Sequence, residues 1–303
     1  MPKLSLTQKA VFALIIANII WGAAAPIFKW SLESTPPFTL AVLRFGIAAL
    51  IILPFVYHNL KVKGKDLFSL FILSICGITI NISFFFLGLT YTESINAPII
   101  ASSAPIFIIF FGAVFLKDKL RRKTIIGGLL GLAGVITIVV IPSIGKGVDS
   151  SVLGNVFLIF SMLGAVLHAL LLKKIIKRYN PLTIVFWSFL IGTAGFLPMF
   201  FNEVQQVGFL PVVNMQVIVG VLFGAILSSG LAYFLQTWSL KQMSVEDVGL
   251  FTYVDPIVAI LIAAPLLGEN PTIHFFIGSV LVFVGIYIAE GRLQWHPIHK
   301  LKR

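Results

Sequence analysis

The stretch Ser244-SVEDVGLFTYVDPIVAILIAAPLLGENPTIHFFIGSVLVFVGIYIAE-Glu290 holds two long apolar runs, a short polar turn and one acid, Asp255, inside the first run. Shifted back by 151 residues without a gap, it lies over Glu93 to Val139. Pro256 then meets Pro105, Glu269 meets Asp118, Gly278 meets Gly127 and Gly285 meets Gly134. Positions 105–134 give 9 identities in this register. A second register, offset by 144, pairs Pro37 with Pro181, Thr39 with Thr183, Phe45 with Phe189, Ile47 with Ile191 and Leu53-Pro54 with Leu197-Pro198. The change of seven residues between the registers falls in the polar segment Asn202 to Asn214. Fixed registers anchored on Pro and Gly indicate an internal duplication, with halves 1–147 and 148–303.

Composition decides the solvent. With 58% hydrophobic residues, 11% charged, 28 Phe and a mean hydropathy of +1.04, the chain carries more apolar surface than a soluble core of this size hides. A membrane span needs about 20 apolar residues. Ten such windows are predicted, at about 10–28, 38–57, 67–89, 95–116, 123–141, 153–172, 181–201, 216–239, 246–267 and 273–290. Barrel strands would be shorter and would alternate in polarity, so the expected class is an all-α integral membrane protein of ten helices.

The net charge of +11 is not a nucleic-acid footprint, because its distribution follows the membrane. The N-terminal tail, the even-numbered connections and the C-terminal tail carry Lys3, Lys9, Lys61, Lys63, Lys65, Lys117, Lys119, Arg121, Arg122, Lys123, Lys173, Lys174, Lys177, Arg178, Lys241, Arg292, Lys300, Lys302 and Arg303; the opposite face carries Lys29 and Lys146. This positive-inside asymmetry predicts both termini on the cytoplasmic side, with the basic clusters also meeting anionic headgroups. Five spans per half is an odd number, so the two halves are expected upside down relative to each other. Inverted repeats are the architecture on which many secondary transporters alternate access around a midplane site.

Cys76 is the single cysteine; it offers no disulfide or thiol pair and is expected to pack. Ala23-Ala24-Ala25 after Lys3 and Lys9 has the look of a signal-peptide cleavage site. Pro26 and the need of the repeat for a first span argue against cleavage.

Trp21-Gly22 in the first span, Pro37 to Arg44 opening the second, and a Pro followed by an apolar run, an acid and a glycine-spaced span, present twice, resemble the EamA group of the drug/metabolite transporter superfamily. Pro265 and Asn270-Pro271 depart from that pattern. The resemblance covers essentially the whole chain and implies a ten-helix carrier of small metabolites, often amino acids or their derivatives, frequently working as an exporter. A prokaryotic host would place it in the cytoplasmic membrane.

A charge at mid-membrane costs about 2.5–3.5 kcal/mol on insertion scales, so it normally faces a cavity or a partner. Asp255, before Pro256 and near the middle of span nine, is a candidate proton-coupling group or partner for a substrate ammonium; a fixed ion pair is the alternative. Arg44, in span two, has three open readings: it holds a substrate carboxylate, pairs permanently with Asp255, or snorkels. His168, in span six, is a candidate for proton transfer or a packing residue. Asn18, Asn81 and Gln236, with Tyr233 one turn before Gln236, either line a polar cavity or bridge helices. Trp21 and Tyr253 are retained among the aromatics because each lies within a turn of a polar mid-span residue. Gly127, Gly131, Gly134, Gly278 and Gly285 give small-residue faces for helix packing or dimerisation, leaving monomer and homodimer open.

The sequence has no phosphate loop, no metal-ligand cluster and no nucleophile turn, so no cofactor is expected. Expected partners are a small-molecule substrate, the lipid bilayer and protons as a coupling ion. Two other classes are weighed against a carrier. A lipid-modifying intramembrane enzyme would need Asp255 and His168 within hydrogen-bond reach. A non-transporting scaffold would have no use for a buried carboxylate.

Overall fold

The computed structural model describes residues 5–116, 122–141, 150–208 and 213–290. Lys3, Lys117, Lys119, Arg121, Lys146, Arg292, Lys300, Lys302 and Arg303, Asp118 and the boundary between the expected halves lie outside the described residues. The described residues are helical, with no strand.

Helix α1 (Leu6–Leu32) opens with a capping box, in which the Ser5 hydroxyl accepts from the Gln8 amide while Gln8 returns a bond to Ser5, and it runs on through Pro26. It is followed by α2 (Pro37–Val56), α3 (Gly64–Ser74) and α4 (Asn81–Tyr91), the last two joined by a π-helical turn, Ile75–Ile80. Next come α5 (Asn96–Ser102), α6 (Ala104–Leu116) and α7 (Arg122–Val139). The second set is α8 (Ser150–Ile175), α9 (Pro181–Val207), α10 (Met215–Leu222), a π-helical segment Phe223–Ala232, and α11 (Tyr233–Leu240). It closes with α12 (Val245–Gly249), a 3-10 segment Leu250–Val254, α13 (Asp255–Leu267) and α14 (Ile273–Glu290).

Seven helical stretches among the described residues are long and apolar enough to cross a membrane: Leu6–Leu32, Pro37–Asn59, Gly64–Tyr91, Ser150–Arg178, Pro181–Val207, Met215–Leu240 and Asp247–Leu267. Asn96–Ile108, Ile125–Ile138 and Ile273–Ile288 are shorter apolar helices. The outer surface suits lipid: Phe68 is 74% exposed, Phe55 70%, and Leu50 and Leu261 69% each.

Three windows differ from the continuous runs expected. The window 95–116 is broken at Ser103, and 246–267 is broken by the 3-10 segment, in both cases just ahead of the matched prolines Pro105 and Pro256. A proline lacks the amide that a helix interior uses but loses nothing in a first turn. Asp255 is therefore the first residue of α13, and not the middle of a continuous helix. The window 181–201 continues as helix to Val207, so α9 has 27 residues against 20 in α2. The seven-residue difference between the two registers is two extra turns of α9.

The packing is paired. α2 lies on α9 and α7 on α14, while α1 against α13 has its counterpart in α8 against α6. The π segment after α10 packs on α1 and α2, and the π turn after α3 packs on α8 and α9. Glycines set the α7–α14 contact. A Cβ on Gly134 would lie 2.6 Å from the Gly278 carbonyl, and one on Gly285 would lie 2.5 Å from the Gly127 carbonyl. These small-residue faces are thus used within the chain.

The two ends differ in charge. At one end Arg178 and Tyr179 bind the Asp66 carboxylate, Tyr179 accepts from the Lys63 amide, and Lys241 donates to the Tyr179 carbonyl. At the other end stand Glu33, Glu93, Glu203 and Glu269 with Lys29; Gln216 donates to Glu33, and the Glu203 carboxylate accepts from Phe38 and Thr39 at the start of α2.

Candidate functional site

A cavity of about 230 Å³ lies among α1, α2, the α3–α4 and α10–α11 stretches, α5, α6, α8 and α12–α13. Its walls are mostly alanine, phenylalanine and branched aliphatics. Seven of the nine residues singled out in the sequence line it: Trp21, Arg44, Asn81, His168, Tyr233, Gln236 and Asp255. Asn18 and Tyr253 do not. Asn18 is buried in α1 one turn short of Trp21 and turns its amide back to the Leu14 carbonyl at 2.7 Å. Tyr253 packs its ring edge-on against Phe283 of α14, with centroids 5.7 Å apart.

Asp255 is 7% exposed. Its Oδ1 is sealed and has no partner among the described residues. Gly22 brings α1 against this point, because a Cβ there would lie 2.7 Å from the Asp255 carbonyl; the Trp21-Gly22 pair thus sets an aromatic ring and a close helix approach at the same place. Buried polar groups without partners are rare and mark sites of function or strain.

Arg44 is 2% exposed and does not pair with Asp255. Its Nε donates to Ser229 Oγ at 2.7 Å and its Nη2 to Ser228 Oγ at 3.0 Å, while Nη1 is sealed without a partner. Phe28 and Phe45 lie 4.5 and 4.6 Å from the guanidinium carbon, and Phe86 5.9 Å. Cation–π contact replaces a counter-ion here. Snorkelling is excluded by this cage. The π segment explains how two consecutive serines serve one guanidinium: its wider turn brings neighbouring positions closer to one face than an α-helix does. The run Ser228-Ser229 inside an apolar window is the sequence signal for this contact, and a reading by charge and amide groups passes over it.

Ring nitrogens meet backbone carbonyls in one π segment and in the last turn of α3, just ahead of the other. The indole of Trp21 donates to the Ser228 carbonyl at 3.1 Å, and His168 Nδ1 lies 2.8 Å from the Leu73 carbonyl. A carbonyl only accepts, so this contact puts a proton on Nδ1, and in the neutral ring Nε2 is then the acceptor. Gly77 makes room for the ring, since a Cβ there would lie 2.0 Å from Nδ1. No hydrogen bond joins His168 to Asp255, the pair that an acid/base enzyme would need. Asn81 donates to the Ser161 carbonyl at 2.7 Å, bridging α4 and α8. Tyr233 stacks edge-on against Trp21, with centroids 5.3 Å apart. Among the described residues no cluster of three His, Cys, Asp or Glu is placed to hold a metal ion.

Known proteins match this chain along its length. A protein from Archaeoglobus fulgidus bearing the name uncharacterized transporter is 26% identical over 282 residues, 93% of this chain and 99% of that one. The uncharacterized transporter YetK of Bacillus subtilis is 27% identical over 286 residues, 92% of this chain and 86% of that one. A crystal structure superposes with a TM-score of 0.67 at 19% identity, over 92% of this chain and 96% of that chain; at that identity the likeness is one of fold. The EamA-like transporter family matches residues 8–140 and again residues 152–290. With both matches covering most of its length, the chain belongs to the EamA-like transporter family, as a multi-pass membrane transporter of the drug/metabolite transporter superfamily.

Proposed function

We propose that this transporter is a secondary-active or facilitative carrier that alternates access between two inverted five-helix repeats, 1–147 and 148–303. It moves small metabolites such as amino acids or related amphipathic compounds across the cytoplasmic membrane, with export as the direction the resemblance implies. Ten spans with both termini in the cytoplasm are part of this reading, supported by the seven long and three shorter apolar helices taken together and by the basic end formed by the connections that carry Lys63, Arg178 and Lys241. The reciprocal packing of α1 on α13 and α8 on α6 supports halves related by a rotation in the membrane plane.

The observation that carries the reading is one cavity lined by two buried charged groups, Asp255 and Arg44, that do not pair with each other. In this reading Asp255 takes a proton or a substrate ammonium. The apolar walls, with Trp21 and Tyr233, hold the substrate body, and Asn81, Gln236 and His168 are pathway residues. Arg44, locked in its aromatic cage, fixes the electrostatics of the site and reaches a substrate carboxylate only if a neighbouring ring moves.

The test is a metabolite screen on proteoliposomes with and without an imposed pH gradient, run on the parent protein and on Asp255→Asn. Loss of gradient-coupled uptake in the variant, with unchanged melting and elution, is the expected result. Full coupled activity in Asp255→Asn would remove the carboxyl from the mechanism.

A further inference from the structure

Beyond one end of the cavity stands a polar network that the transport reading leaves unused. Phe28 and Ala97 line the cavity; Lys29 and Asn96, one residue further out on the same two elements, belong to the network. At its centre is Glu269, on the connection between α13 and α14 and only 7% exposed. Its carboxylate accepts from the Ser94 amide at 2.9 Å, the Ser94 hydroxyl at 2.7 Å and the Ile95 amide at 3.2 Å, and it meets Lys29 Nζ at 2.9 Å. Lys29 also donates to the Thr92 carbonyl at 2.7 Å. The hydroxyl of Thr92 donates to Asn155 Oδ1 at 3.0 Å, and the amide of Asn96 donates to the same oxygen at 3.2 Å and to Thr92 Oγ1 at 3.1 Å.

These contacts tie together four segments, two from each half of the sequence: α1 and the α4–α5 connection from the first, α8 and the α13–α14 connection from the second. A rocking motion that opens the cavity at this end must separate them. A carboxylate that accepts three hydrogen bonds and an ammonium is strongly held while the segments touch, and its buried charge loses those partners when they part. Such an arrangement has two discrete states and few in between.

We propose that the network centred on Glu269, Lys29 and Ser94 is the gate of the cavity at the non-cytoplasmic face, closed in this structure. The proposal rests on the alternating-access reading, and its test keeps the two apart by reading accessibility, with no need for a known substrate. Cys76 is the single cysteine, so a Cys76→Ala background carrying Ala101→Cys, at a cavity-lining position of α5, reports the cavity alone. The probe is a membrane-impermeant maleimide, added to the outside of right-side-out vesicles or the outside of inverted ones.

In the parent, Ala101→Cys is expected to react from both faces, slowly from the non-cytoplasmic one. Lys29→Met and Glu269→Gln are expected to raise the rate from that face about tenfold and Ser94→Ala about threefold, with the rate from the cytoplasmic face unchanged or lowered. Reaction from only one face in the parent and in every variant would remove alternating access itself. Reaction from both faces at rates that none of the three variants alters would remove the gate while leaving the carrier intact. Thermal melting identifies a variant that has failed to fold, and because Lys29 and Ser94 hold the network from different elements, a lost Glu269→Gln still leaves two variants that decide the question.

Discussion

Glu93 and Glu269 stand at the same end of the molecule in opposite circumstances. Glu269 has four donors. Burial pushes the Glu93 carboxyl above its ordinary value, the neighbouring Glu269 charge pushes the same way, and Lys29 offsets part of this. A carboxyl that binds its proton more tightly when folded than when unfolded adds stability as pH falls through its raised value, and costs stability above it once ionised. Glu93→Gln is therefore expected to raise the melting temperature by about 2 °C at pH 7.5, with the gain shrinking toward pH 5. Melting curves in detergent at the two pH values check this. The contrast between the two acids shows what single residues disclose in sequence. Asp255 and Arg44 stand out because a charge inside an apolar run has few uses, whereas Glu269 looks like any acid in a polar turn until the Ser94 and Ile95 amides are placed beside it. Asn18 was legible as a buried amide, yet its bond to Leu14 within its own helix could not be told from a cavity contact.

The N-termini of α2 and α9 show how an element recruits help. Both begin with a proline in the first turn, Pro37 and Pro181. Asn180 caps α9 from its own side chain, accepting from the Leu182 amide at 3.0 Å. Pro36, at the equivalent position before α2, has no side-chain acceptor, and the Glu203 carboxylate takes its place, accepting from the amides of Phe38 at 3.0 Å and Thr39 at 2.7 Å. A lost cap costs about 1–2 kcal/mol, so Glu203→Ala and Asn180→Ala should each lower thermal stability by that order, additively, because they act at opposite ends of the helix pair. A measured sum well below the two single effects would show that the ends are coupled. The helices themselves were readable from apolar length. Their breaks at Ser103 and before Asp255 were not, because a hydropathy window averages over a break, although Pro105 and Pro256 marked both places. The π turns carried no comparable mark, since helix type depends on how the chain packs against α8, α9, α1 and α2.

For the whole molecule, the duplication was legible because its anchors are Pro and Gly, which are fixed by backbone geometry and do not interchange freely with other apolar residues. What lies between matched helices was less legible: the glycine faces of α7 and α14 suited a partner in another copy as well as one in the same chain. With Gly285 packed on Gly127 and Gly131, Gly285→Leu is expected to cost about 3 kcal/mol or more through overpacking. Size-exclusion profiles with light scattering should then show loss of folded protein, and not a shift from dimer to monomer.

The extra two turns of α9 have a consequence for energetics. A machine made of two interchangeable halves has two resting states of equal energy, and the bilayer alone distinguishes them. Seven added residues, rising about 10 Å along the helix axis, bring a carboxylate to the start of α2, and no carboxylate from α2 reaches the start of α9 in return. The degeneracy ends there. In the proposed alternating-access cycle, a difference of about 1.4 kcal/mol between the states would weight one of them tenfold at rest, before any gradient or substrate acts, so one small asymmetry between the copies would be enough to give the carrier a preferred idle position.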